Sequence, residues 1–74
     1  MLENDLIEMG YRSVEEILGK KNPFPVQDIP YLILDLIPHM AKGRVSRFSV
    51  IPYIENPASE ELRSNMYNVY VLFR

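Results

Sequence analysis

The chain has 74 residues, of which 47% are hydrophobic and 24% are charged, with a formal net charge of −2 and no cysteine. These values are typical of one folded domain, residues 1–74, with a small core. They exclude a disulfide framework and thiolate chemistry, and no apolar run approaches the ~20 residues that a membrane-spanning helix needs. The acidic N-terminus argues against a secretory or transit peptide, so we expect a cytoplasmic protein without membrane contact.

The N-terminal residues predict two short helices. Residues 2–9 place apolar side chains at helical spacing, and Gly10 follows as a stop signal. Ser13 and Glu16 have the spacing of a capping box, which opens a second helix that ends at Gly19. We therefore expect helices over 2–9 and 13–18.

The stretch Leu6–Tyr11, followed by a short helix, resembles the start of ubiquitin-associated domains. In that family a Met-Gly-aromatic loop contacts ubiquitin, and the resemblance would assign this contact to Met9, Gly10 and Tyr11. The proline-rich linker at 22–25 and the β-rich second half depart from the family. We therefore interpret Gly10 as a helix stop between two core residues.

Residues 31–37 are apolar on nearly all sides, which indicates a buried central segment. Their length, between Pro30 and Pro38, also fits a strand. Asp28 as an N-cap and Lys42-Gly43 as a terminal signal favour a helix over about 28–41, kinked at Pro38. Helix and strand are both retained here, with the helix preferred.

The second half predicts a β-hairpin. Residues 47–54 form a strand that Pro52 restricts to an edge or a bulge, and 66–73 form the final strand. A helical turn from Asn56-Pro57 to Leu62 lies in the connection. The predicted fold class is α+β, with two or three N-terminal helices packed on one face of a small antiparallel C-terminal sheet.

The final strand is apolar on both faces, so both faces must be covered. We expect the larger row, which includes Val69 and Val71, to pack against the helices. The other row would then form an exposed apolar patch with the neighbouring strand. Because Pro52 interrupts that neighbouring strand, the final strand would be the edge that pairs with a protein partner or a second copy. The predicted partner-binding residues, and the route to a homodimer, are Ile51, Tyr53, Tyr70 and Leu72.

Basic residues concentrate after the third predicted element. Lys42, Arg44 and Arg47 lie close together in a stretch that contains no acid between Leu36 and Ile54. They are candidates for contact with phosphate or with an acidic protein surface. The alternative interpretation is an ordinary basic loop.

Catalytic groups are few. His39 is the single histidine, and adjacent carboxylates such as Glu15 and Glu16 point about 100° apart on a helix and cannot share a site. The glycines fall at predicted helix ends and form no phosphate-binding loop. We expect no enzyme activity, no cofactor and no metal.

These observations predict a small non-catalytic regulatory or inhibitory protein of phage or mobile-element type that occludes a larger protein partner. The alternative is a small winged-helix-like nucleic-acid-binding protein, with the basic stretch 42–47 at the start of its wing. The acidic net charge and the shortage of polar residues over 29–37 make nucleic acid the less favoured partner.

Overall fold

A computed structural model describes residues 3–54 and 65–74. It confirms the α+β class with an antiparallel sheet of four strands. The predicted helical turn at 56–62 lies outside the described residues. The elements are α1 Glu3–Glu8, β1 Arg12–Ser13, α2 Glu15–Leu18, β2 Phe24–Pro25, a 3-10 turn Val26–Asp28, α3 Ile29–Ala41, β3 Val45–Pro52 and β4 Met66–Phe73.

The ambiguous segment 31–37 is helical and forms the middle of α3. Pro30 lies in the first turn, where its missing N–H costs no hydrogen bond, and Pro38 lies inside the helix. The helix ends at Ala41, and Gly43 follows in the left-handed conformation with φ +76°: its N–H donates to Met40 C=O (3.0 Å) and Arg44 N–H donates to His39 C=O (2.9 Å). Asp28 occupies the N-cap position as predicted, but it also ends the preceding 3-10 turn and its side chain makes no capping hydrogen bond.

The first helix ends by the same device as the third. Gly10, with φ +97°, allows Tyr11 N–H to donate to Leu6 C=O at 2.9 Å, and the two side chains pack together in one core. The expected helix stop at Gly10 is thus confirmed, although Met9 is exposed rather than buried. The reciprocal capping box is not formed: Ser13 Oγ accepts from Glu15 N–H at 3.2 Å, whereas Glu16 pairs with Arg12 at 2.8 Å.

Strand β4 is the centre of the sheet and not an edge. β3 pairs with it along its length, while β1 and β2 pair with its opposite side at Val71–Tyr70 and Tyr67–Met66. Between β1 and β2, the side chain of Asn22 takes the place of a strand residue. Its Nδ2 donates to Val69 C=O at 3.0 Å and its Oδ1 accepts from Val69 N–H at 2.8 Å. The prediction that β4 offers a free edge is therefore wrong.

Helices cover both faces of the sheet. On one face α2 and α3 pack over a core of Val14, Phe24, Leu32, Leu36, Val45, Val69 and Val71. On the other face α1 contributes to a second core of Leu6, Tyr11, Ile51, Tyr70 and Leu72. The larger row of β4 faces the helices as expected, since Val69 and Val71 are fully buried. The expectation that all helices lie on one face is wrong for α1.

No helix within residues 3–54 and 65–74 has the length and apolar character needed to cross a membrane.

Candidate functional site

The row of residues predicted to form an exposed patch is largely buried inside the chain. Tyr70 is 7% exposed and Ile51 is 8% exposed, while Leu72 and Tyr53 are half-buried. The predicted exposure fails because residues 3–11 fold back over this face of the sheet. The assignment of these four residues to a partner interface stays a prediction. The exposed surface from which it was argued is not present among the described residues.

Tyr70 also ties α1 to the sheet through its hydroxyl group. Burial raises the pKa of the Tyr70 phenol well above its ordinary value, and a hydrogen bond to the Glu3 carboxylate and the charge of Glu3 raise it further. The phenol is therefore protonated at neutral pH and donates to Glu3. This contact gives Tyr70 a structural role.

The outward face of α3 carries three of the seven exposed large hydrophobic residues in the described part of the chain. At about 100° per residue, its members occupy one side of the helix, opposite the buried Leu32 and Leu36. Its three large side chains are 68%, 59% and 51% exposed at positions 31, 34 and 37. We call this surface the α3 face, and it consists of Pro30, Tyr31, Leu34, Ile37, Pro38 and Ala41.

The position of Pro38 is compatible with an α3 face that is exposed to solvent. Proline removes the N–H that would donate to the C=O of Leu34. Leu34 and Pro38 are both exposed, so water can reach that carbonyl. The helix can therefore carry a proline here without burying an unpaired polar group.

Charged groups lie beside the α3 face rather than within it. Asp35, the one exposed charged residue of α3, forms an ion pair with Lys20 at 3.3 Å along one flank. Asp28 is exposed at the start of the helix and Lys42 is exposed just beyond its end. The face is thus apolar, with an acidic group at one end and a basic group at the other.

The predicted basic stretch separates into two places. Lys42 and Arg44 stay together after α3, and Arg74 joins them because its N–H donates to Arg44 C=O at 3.1 Å and its Nη1 lies beside Gly43. Arg47 instead pairs in register with Leu72 and belongs to the α1 side of the sheet. We call Lys42, Arg44 and Arg74 the basic cluster; within the described ranges none of them forms an ion pair.

His39 lies in the last turn of α3, and its Nδ1 atom is buried without a hydrogen-bond partner in the described part of the chain. Among residues 3–54 and 65–74, no group of three or more His, Asp or Glu side chains is placed to hold a metal ion.

The sequence interpretation missed the α3 face and Arg74. An apolar character on all sides of residues 31–37 indicated a fully buried segment, yet the sheet covers only the side that carries Leu32 and Leu36. The signal was present in the spacing of Tyr31, Leu34 and Ile37, which forms a second stripe opposite the buried one. No family model, no curated protein and no solved structure matches this chain.

Proposed function

We propose that this chain is a small non-catalytic regulatory protein that binds a larger protein partner through the α3 face. The observation that carries the proposal is the exposure of Tyr31, Leu34 and Ile37 on a helix whose opposite side is fully packed. The largest apolar patch of a monomeric protein, usually a few hundred Å², is often the surface through which it binds. A helix that presents residues at i, i+3 and i+6 or i+7 is a common anchor for an apolar groove.

The size of the face defines how the partner must bind. The outward half of a 13-residue helix, about 20 Å long and 11 Å across, presents roughly 340 Å². A standard interface buries about 800 Å² on each partner. The partner must therefore reach beyond the α3 face, and the basic cluster adjoins it at the end of the helix, with no ion pair to any described residue. A partner with an apolar groove and acidic groups at one end would complement both surfaces.

This mode of binding explains how the chain would regulate its partner by occluding a surface. A rigid helix held by its own core loses little conformational entropy on binding, which favours affinity from a small surface. By filling a groove on a larger protein, the chain would exclude any other ligand of that groove. The regulatory effect then needs no catalytic group on this chain.

Nucleic-acid binding is the alternative function, and the convergence of Lys42, Arg44 and Arg74 favours it. Against it, the only side-chain polar group of the α3 face is the Tyr31 hydroxyl, and the face carries none of the Arg, Lys, Asn or Gln side chains that most often read base edges in a groove. Duplex DNA labelled for fluorescence anisotropy tests this alternative. Binding that weakens steeply with salt and is lost in Arg44→Glu would support it over protein binding.

The protein-binding proposal is tested with matched surface variants. Leu34→Lys places a charge in the α3 face, and Ile7→Lys places the same charge on an exposed apolar residue of α1, where the exposure is similar at 52% against 59%. Tagged chains would be incubated with nuclease-treated lysate of the source cells, and the captured proteins compared by mass spectrometry.

We expect the native chain and Ile7→Lys to retain the same partner and Leu34→Lys to lose it. Circular dichroism and thermal melting would verify that both variants are folded. A partner captured equally by all three chains would contradict the assignment to the α3 face.

A further inference from the structure

The α3 face has a pattern that is symmetric about its centre. Leu34 occupies the middle, Tyr31 and Ile37 stand three residues to either side, and Pro30 and Pro38 stand four residues to either side. A two-fold interface requires that residue i of one copy contacts residue j of the other while j contacts i. The α3 face meets this requirement in an antiparallel arrangement centred on Leu34.

We propose that two copies of this chain associate through their α3 faces, with the two helices antiparallel and the two-fold axis at Leu34. The Leu34 side chains of the two copies then meet, and Tyr31 of each copy packs against Ile37 of the other. Large aromatic and aliphatic side chains at this spacing pack as ridges into grooves at an interaxial distance of 8–10 Å.

The charges at the helix ends select the antiparallel orientation. Asp28 is exposed before α3, whereas Lys42, Arg44 and Arg74 surround its other end. Antiparallel pairing brings the acidic end of each helix to the basic end of the other, and it also aligns the helix dipoles favourably. Parallel pairing would bring the two basic clusters side by side, where like charges repel.

In the described part of the chain, the sheet offers a second copy no equivalent surface. One side of β4 is occupied by β3 and the other by β1, Asn22 and β2. The outer strand, β3, carries Arg47, Pro52 and a register shift between Val45 and Arg47. A charge, a proline and a bulge are the features that prevent edge-to-edge pairing. The route to a homodimer therefore runs through α3 and not through the final strand.

The small area makes this association weak. Two α3 faces bury roughly 700 Å² at most, counting about 340 Å² from each helix. Specific stable interfaces bury about 1,200–2,000 Å². We therefore expect a dissociation constant weaker than about 1 µM, so that the chain is monomeric when dilute and dimeric when concentrated. The dimer would conceal the same face that the proposed partner binds, but its formation does not depend on that partner.

Sedimentation equilibrium of the purified chain, from about 10 µM to about 1 mM, measures this association directly. The average mass should rise from 8.7 kDa toward twice that value as concentration increases. Leu34→Lys should stay at the mass of one chain, whereas Ile7→Lys should behave like the native chain. A native chain that stays monomeric throughout, or a Leu34→Lys chain that still dimerises, would overturn the proposal.

Cysteine cross-linking tests the relative orientation of the two α3 helices, and the chain has no native cysteine that would interfere. Helices 8–10 Å apart place facing Cα atoms within disulfide reach. Leu34→Cys should cross-link on mild oxidation, and a mixture of Tyr31→Cys and Ile37→Cys chains should cross-link faster than either alone. Rapid cross-linking of Tyr31→Cys alone, or of the control Ile7→Cys, would contradict the antiparallel arrangement.

The two proposals fail separately. A chain that never dimerises but loses its lysate partner in Leu34→Lys would refute self-association and support partner binding. A chain that dimerises through Leu34 but captures no partner would do the reverse.

Discussion

The side chain of Asn22, which is half-buried in a loop, should contribute more to stability than any other loop polar side chain in the described residues. It joins the N-terminal half to the centre of the sheet by two hydrogen bonds to Val69, at 2.8 and 3.0 Å, and by a longer one to Ser13 Oγ at 3.3 Å. Val69 is fully buried, so water cannot replace the lost partners. Asn22→Ala therefore removes bonds at a place where the backbone depends on them.

The cost of Asn22→Ala follows from what each Val69 group retains. Val69 C=O still accepts from Val14 N–H at 3.0 Å, whereas Val69 N–H loses its partner. Leaving a buried donor unsatisfied costs about 1–3 kcal/mol, and the loss of a second hydrogen bond adds about 0.5–1.5 kcal/mol. The total is about 1.5–4.5 kcal/mol, and a mid-range loss of about 3 kcal/mol lowers the melting temperature of a domain of this size by about 12–24 °C.

Urea denaturation followed by circular dichroism measures this loss. Asn22→Asp keeps an acceptor for Val69 N–H and should fall between the native chain and Asn22→Ala. Lys21→Ala, at the adjacent exposed position, is the control and should change stability by less than about 0.5 kcal/mol. If Asn22→Ala costs no more than Lys21→Ala, the side chain does not act as a strand residue, and our interpretation of this edge of β4 is wrong.

Three further predictions concern the helix ends and the second core. The pKa of the Tyr70 phenol is raised in the folded state, so its contribution to the free energy of unfolding is fully present below the unfolded pKa of about 10 and declines above that pH. The melting temperature of Tyr70→Phe should therefore fall less than that of the native chain as the pH is raised above about 10. Tyr70→Asp should unfold the chain, because it buries a carboxylate beneath α1 and beside Glu3, and a native-like circular dichroism spectrum would contradict this. Gly43→Ala should lower the free energy of unfolding in urea by about 1 kcal/mol, because φ is +76° at this position. An added Cβ would lie 3.7 Å from the nearest atom, Arg74 Nη1, so the cost is backbone strain rather than a clash. Gly43→Asn should recover part of the lost stability.

The elements with complete local signals were predictable from the sequence. The helix over 29–41 carries a proline in its first turn and a glycine after its end, and these signals outweighed the strand-like length of 31–37. The final strand was identified from its β-branched and aromatic residues, and its apolar character on both faces correctly indicated that both faces are covered.

What covers the strand was not predictable. Two-residue strands such as β1 and β2 are too short to show a periodic pattern, so nothing indicated that residues 12–13 and 24–25 pair with β4. A single side chain that replaces a strand residue, as Asn22 does, leaves no pattern at all. These contacts place α1 over Tyr70, and a surface that we assigned to a partner is instead occupied by the chain's own N-terminal residues.

For α3 the sequence led to the opposite error, because it indicated more burial than the structure shows. Periodicity identifies which residues of a helix are apolar, but not how many sides of the helix the rest of the fold covers. Within residues 3–54 and 65–74, no element lies over Tyr31, Leu34 and Ile37, which are 68%, 59% and 51% exposed.

The central position of β4 has a consequence for synthesis of the chain. Every strand pairing in the described sheet involves β4, and the pairing of Arg12 with Val71 joins residues near opposite ends of the sequence. Contacts of such long sequence separation form late. A nascent chain that has not yet released residues 66–73 from the ribosome contains no partner for β1, β2 or β3. We therefore expect the domain to fold only after residues 66–73 have left the ribosome, with nascent chains stalled before residue 66 cleaved readily by protease, and the exposed helices available to chaperones until β4 emerges.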